Sequence, residues 1–166
     1  MAQIVAAWAR CRPDLDATPL LVIGRMARLT QLVEPHLRPP FAEAGLGNGD
    51  FDVLAALRRC GAPYALTPGG LSASLLVTTG AITKRLDRLE ARGLVERQVS
   101  EGDARSRVVR LTTTGLSLVD RLIEVHLANE RTALAGLSDR EVDQLGRLLG
   151  RLAESLEAGD GSNARG

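Results

Sequence analysis

The chain has 166 residues, of which 45% are apolar and 25% charged, and its formal net charge is +1. That length and balance support one globular, water-soluble domain with a real core and exclude a strongly basic nucleic-acid protein. They leave room for a local basic patch: between Lys84 and Arg110 there are eight basic and five acidic residues. Aromatic residues make up 2% of the chain, so the core must be built from Leu, Val and Ala, which suits helices. The opening MAQIVAAWARC has neither a long apolar run nor a small-residue cleavage site, and no stretch approaches a membrane span. The expected location is the cytoplasm. Cys11 and Cys60 form no metal spacing and no clear disulfide framework, so buried or half-buried free thiols are expected.

Residues 3–11 place Ile4, Trp8 and Cys11 on one helical face, too short to stand alone. Thr18-Pro19 opens a long helix, with Thr18 as N-cap, Pro19 in the first turn and Leu20, Ile23, Ala27 and Leu32 as its buried stripe. Pro35 should kink that helix and Pro39-Pro40 should end it. A loop follows around Gly45 to Gly49. Phe51 to Cys60 is apolar almost all round and reads as a buried helix closed by Gly61, in which the carboxylate of Asp52 is conspicuous.

Thr67-Pro68 starts a short helix carrying Leu71, Leu75 and Leu76, and a break at Val77-Thr78 leads to the next. Thr78 is a good N-cap, and Gly93 a good residue just past the last turn. Ile82, Leu86 and Leu89 form a buried stripe, with Gly80, Thr83, Lys84, Asp87 and Arg88 on the far side. LVERQV and RVVRLT are strand-like and flank SEGDARS, a hairpin tip. Thr112 caps a helix to about Leu134, Ser138 to Glu141 is a capping box, and Val142, Leu145, Leu149, Leu152 and Leu156 form a coiled-coil-like seam. The Gly/Ser-rich end predicts disorder.

A short helix, a turn, an amphipathic helix and a basic hairpin make a winged helix-turn-helix. The expected fold is mainly α with a small β-hairpin wing, flanked by N- and C-terminal dimerisation helices. In boundaries, that is an N-terminal extension helix at 1–17, dimerisation helices at 18–48 and 113–157, a winged helix-turn-helix DNA-binding region at 49–112 and a disordered tail at 158–166. The apolar seams of the terminal helices predict a homodimer.

Thr67 to Leu118 resembles the MarR family of transcriptional regulators. Asp103-Ala104-Arg105-Ser106 matches the family's D-x-R-S/G wing signature, placed in the hairpin tip. Leu86 to Val95, then Val109-Arg110-Leu111-Thr112 and Gly115, carry the rest of the match. The resemblance implies a dimer whose recognition helices enter successive major grooves while the wings reach adjacent minor grooves. The residues expected at DNA are Thr78, Thr79, Thr83, Lys84, Arg88, Asp103, Arg105 and Arg107. Thr79, Thr83, Lys84 and Arg88 suit phosphates and base edges, and Arg105, steadied by Asp103, suits a narrow minor groove. A two-fold dimer requires a pseudo-palindromic operator with half-sites centred about one helical turn, or a multiple, apart.

Asp52, Arg85 and Arg97 call for a second explanation. Arg85 lies about 60° from the centre of the buried stripe, at the core boundary, and Arg97 alternates with Val95 and Val99 along a strand. One reading is a structural ion pair, Asp52 with Arg85; the other is a pocket for a small anion. The chain resembles most closely the urate-responsive PecS/MftR branch of the family, in which a tryptophan, an aspartate and two arginines occupy the places of Trp8, Asp52, Arg85 and Arg97. Two departures stand out: Asp50, where that branch commonly has tryptophan, and Pro35 in the long helix. The resemblance implies a ligand-responsive repressor that urate or a related purine releases from DNA by breaking the Asp52–Arg85 link. Rival readings are a thiol-based redox sensor using Cys11 or Cys60, a regulator responding to phenolic acids, and a winged helix used only for protein contact. His36 and His126 stand apart from any nucleophile pattern, and there is no phosphate loop or metal spacing, so no catalysis, cofactor or metal is expected.

Overall fold

The computed structural model describes residues 1–100 and 103–163; the side chains of 100–106 and those from 159 onward lie outside the described residues. The chain forms two compact units, Met1–Ala128 and Asn129–Gly166. The first holds α1 (Ala2–Cys11), α2 (Pro19–Leu37), α3 (Pro39–Glu43), α4 (Asp50–Arg59), β1 (Ala65–Leu66), α5 (Pro68–Leu75), α6 (Thr79–Ala91), β2 (Val95–Ser100), β3 (Asp103–Leu111) and most of α7 (Thr113–Ala133). The second holds the end of α7 and α8 (Asp139–Asn163). None of the described helices is long and apolar enough to cross a membrane.

The core forms where helical stripes and strand faces coincide. Leu54 and Leu57 of α4, Leu71 of α5, and Ile82, Leu86 and Leu89 of α6 are almost entirely buried, together with Val95, Val109 and Val119. Each such aliphatic side chain contributes about 1.5–3 kcal/mol relative to exposure. The helix starts are capped as their sequences predict: Thr67 Oγ1 accepts from the Gly70 N–H at 3.0 Å and Thr78 Oγ1 from the Ala81 N–H at 3.3 Å. Between α5 and α6 the chain turns through Leu76, which sits at φ 52° with 86% of its surface exposed. A non-glycine residue pays about 1–2 kcal/mol for that conformation. Ser72 holds the turn closed, its hydroxyl donating to the Val77 carbonyl and its own carbonyl accepting from the Val77 N–H.

At its other end α6 stops at Gly93, φ 65°, with the Gly93 N–H on Glu90 O and the Leu94 N–H on Leu89 O. β2 and β3 then pair antiparallel, from Val95 opposite Leu111 to Val99 opposite Arg107, with a register irregularity before Ser100 opposite Asp103. The sheet has a third strand that the sequence pattern does not predict: β1 pairs with β3, giving the order β1-β3-β2. Two residues are too few for a period-2 signal. The backbone of Asp103 to Ser106 belongs to β3, so the wing signature runs along a strand and not in the tip. Thr112 joins wing to body: its hydroxyl donates to Gly93 O at 2.7 Å and accepts from the Gly115 N–H at 3.0 Å.

Several expectations for the flanking helices need correction. The stripe of α2 is open, with Leu20, Ile23 and Leu32 exposed by 37%, 57% and 52%. Thr18 makes no cap bond; Asp16 instead accepts from both the N–H and the hydroxyl of Thr18, which holds its carboxyl below the usual range. The end of α2 is as expected: the helix contains Pro35 and stops at Leu37, and Pro39-Pro40 open α3. In the second unit Glu141 accepts from the N–H and hydroxyl of Ser138, which lowers its carboxyl pKa and supplies half of the expected capping box. α8 extends to Asn163, past Gly159, where composition predicts disorder.

Gly115 is buried against the Leu94 carbonyl, into which a Cβ would project. Gly115→Ala is therefore expected to cost about 1–3 kcal/mol. The check is urea denaturation, where the midpoint should fall with an unchanged slope.

Candidate nucleic-acid interface and ligand cavity

The first turns of α6 present Thr78, Thr79, Gly80, Thr83 and Lys84, all exposed. Thr83 donates its hydroxyl to Thr79 O at 3.0 Å, which orients it along the helix. The chain enters this surface through the Leu76 turn, and the small side chains at the helix N-terminus are exposed. Arg107 is exposed on β3. The side chains of Asp103 and Arg105 lie outside the described residues.

Arg88, expected at DNA, is occupied elsewhere. Its Nη2 donates to Asp50 Oδ1 at 2.6 Å and its Nε to Asp50 Oδ2 at 3.3 Å. The side chain of Asp50 is 2% exposed while that of Arg88 is 48% exposed. The desolvation cost thus falls on the carboxylate, which recovers it in three ways. It forms a two-point ion pair, it accepts from the Gly47 N–H at 2.8 Å, and it sits at the first position of α4, where the helix dipole favours negative charge. The same hydrogen bond from Arg88 raises the guanidinium pKa further.

This pair replaces the expected one. Among the described residues no salt bridge joins Asp52 to Arg85. Asp52 is exposed, and the Arg85 guanidinium lies on Gly49. The tie between recognition helix and scaffold exists, but it is made by Asp50, two residues before Asp52, and by Arg88, one turn after Arg85. The sequence carries a signal for this, an acid in the first turn of an otherwise apolar helix next to a glycine-rich loop. Asp50 and Asp52 share that turn, however, and only tertiary packing decides which of the two carboxylates is buried.

Arg97 also has partners. Its Nη1 donates to Glu90 Oε2 at 2.6 Å and its Nη2 to Asp87 Oδ1 at 2.5 Å, binding the wing strand to the back of α6. Hydrogen bonding to Asp87 is the main reason its pKa is raised. Trp8 is 47% exposed on α1.

Of the four residues expected at a ligand, only Asp52 lines the cavity between α2 and the start of α4. That cavity, about 510 Å³, is bounded by α2, by Phe41 of α3, by the 46–49 loop, by the start of α4 and by His126. Phe41 and Phe51 stack at 4.2 Å with an interplanar angle of 18°, and His126 packs against both at 5.2 Å. Sequence spacing alone does not bring these three rings together. Arg38 lies at the cavity wall, paired with Glu34 at 3.2 Å. Cys11 and Cys60 are free, as expected, but the expectation that they are buried or half-buried is not met: both are exposed.

Comparison with known proteins agrees with the fold. The MarR family profile matches residues 44–106. The chain is 42% identical over 156 residues to the HTH-type transcriptional regulator PecS of Dickeya dadantii (strain 3937), covering 94% of each chain. Among solved structures it is similar to a cysteine-to-serine mutant of Escherichia coli MarR complexed with operator DNA. That match has a TM-score of 0.70 and 26% identity, over 87% of this chain and 96% of that one. It is also similar to Sco3205, a MarR family transcriptional regulator from Streptomyces coelicolor in complex with DNA, with a TM-score of 0.76 and 25% identity over 86% and 93% of the two chains.

The pairing of Arg97 predicts a structural cost for its removal. Arg97→Ala should destabilise the fold by about 1 kcal/mol in low salt, with the loss shrinking as salt is raised, because both partner carboxylates are partly solvated. Chemical denaturation at two ionic strengths measures this.

Proposed function

The chain belongs to the MarR family of DNA-binding transcriptional regulators, it is not an enzyme, and from that premise we propose that it is a homodimeric repressor, acting in the cytoplasm, that a small planar anion such as urate releases from a pseudo-palindromic operator. Support for DNA contact comes from the exposed first turns of α6. Thr78, Thr79, Thr83 and Lys84 meet base edges and phosphates, while Arg105 and Arg107 of the wing reach the adjacent groove. Support for a dimer comes from apolar side chains that one chain leaves in water, Ile23, Leu29 and Leu32 on α2 and Leu145, Leu149 and Leu156 on α8 among them.

The observation that carries the ligand reading is the cavity beside the start of α4. Its Phe41–Phe51 stack offers a flat apolar wall, Arg38 a cation and Asp52 an acidic edge. A planar anion stacks on the wall, pairs with the arginine and repels the aspartate. Displacement of Asp52's helix end reaches α6 through the Asp50–Arg88 pair of the same turn and through Arg85, which lies on Gly49 of the adjoining loop. Trp8 and Arg97 belong to this site only if ligand brings α1 and the wing strand toward it. Ligand then favours the state that binds DNA less well, and DNA in turn weakens ligand binding.

Urate titration by calorimetry, followed by DNA release, tests this. Saturable binding that changes in Asp52→Ala and Arg38→Ala, with matching release of DNA, is the expected result; absence of binding refutes urate as effector. Trp8, the sole tryptophan, serves as a fluorescence reporter of whether α1 takes part. For DNA binding itself, log affinity is expected to fall linearly with log salt, and Lys84→Ala should make that slope shallower by about 0.9 for each phosphate that Lys84 neutralises.

A further inference from the structure

The segment Gly45-Leu46-Gly47-Asn48-Gly49 carries glycine at every second position. Each glycine faces a different arginine of the α6 region. A Cβ on Gly45 would lie 3.4 Å from Arg92 Nη2, one on Gly47 would lie 3.3 Å from Arg88 Nε, and one on Gly49 would run into the Arg85 guanidinium. The arginines at 85, 88 and 92 follow the three- and four-residue spacing of one helical face. The interactions are polar as well as steric. Arg92 donates to Gly45 O at 2.6 Å and to Ala44 O at 2.7 Å, and Arg88 holds Asp50, whose other bond is to the Gly47 N–H. At Gly49 the guanidinium leaves no room for a Cβ, at Gly47 Asp50 Oδ2 at 3.0 Å crowds it together with Arg88, and at Gly45 and Gly49 the positive φ itself favours glycine.

We infer that this loop positions the recognition helix for DNA, and that Asp50, an anion that does not touch DNA, is needed for tight and selective binding because it holds Arg88. Two forces then act in opposite directions. Asp50 adds a negative charge to a protein that binds a polyanion, so electrostatics alone makes its removal favourable to DNA. As the anchor of Arg88 it fixes the rotation and depth of α6, and losing it spreads the helix over poses that miss base edges. The pair has excellent geometry and a nearly dry carboxylate, so positioning outweighs the charge. The inference rests on the family's DNA binding and is independent of the effector's identity. A failed urate titration leaves it untouched.

The test uses the full chain and a duplex selected with it from a random-sequence pool, beside an unrelated duplex of equal length. Asp50→Asn keeps the shape and removes the charge. It is expected to weaken binding to the selected duplex about tenfold, the equivalent of one base contact, with little change on the unrelated duplex and an unchanged salt slope. Arg88→Gln should show the same selective loss, and the double variant no additional one. Equal or tighter binding by Asp50→Asn overturns the inference. So does a uniform loss on both duplexes in Arg88→Gln with a shallower salt slope, which marks Arg88 as a phosphate contact. Should Asp50→Asn fail to fold, Arg88→Gln and Arg92→Gln, whose side chains are solvated, decide between selective and uniform loss.

Discussion

A carboxylate cannot be taken out of water without a partner, and in this chain Asp50 is the buried acid whose needs shape everything around it. It draws the Gly47 N–H inward, which closes the loop before α4. It opens α4 on a favourable dipole. It reaches across to Arg88 and fixes the face of α6 against α4, where Ile82, Leu86 and Leu89 then meet Leu54 and Leu57 in a common core. Hydrophobic burial supplies most of the stability here, but an aliphatic contact is tolerant of small rotations, whereas a two-point ion pair is not.

The opposite end of the recognition helix is held by different means. Gly93 stops it, Thr112 bonds the Gly93 carbonyl, and Gly115 lets α7 pack against Leu94. Arg97 brings the wing strand onto the acidic back of the helix through Glu90 and Asp87. With both flanks secured, the exposed side chains of the first turns, Thr78 and Thr83, bond only to their own helix. This division follows from what DNA recognition needs, rigid placement of a short exposed stretch.

Much of this organisation is legible in the residues themselves. Thr67, Thr78 and Thr112 cap the helices they precede, Gly93 ends α6, and the buried stripe of α6 follows from its spacing. These features are local, so the sequence carries them directly. What is not legible depends on long-range geometry. β1 exists only because β3 offers it an edge. The partner of Arg88 lies 38 residues away, and helical spacing assigns a side chain to a face without saying whether it reaches outward or folds back. The α2 stripe looks like a core-facing surface by periodicity, yet in the single chain it remains in water, since periodicity reports a need for burial and not the surface that meets it. Of the four residues expected at a ligand, Asp52 lines the cavity, while Trp8, Arg85 and Arg97 stand elsewhere.

The alternation in the 45–49 loop has an evolutionary consequence. At Gly45, Gly47 and Gly49 any side chain meets a guanidinium, and at two of them the backbone conformation also disfavours one. Asn48, which is exposed, is not so constrained and borders the cavity, whereas Leu46, which also lines it, is buried in the core. Substitution at 48 can therefore reshape the rim of the cavity while the arginine row keeps its hold on α6. One short loop thus separates two kinds of heritable change, one at the exposed rim of the cavity and one in the row of contacts that holds the helix.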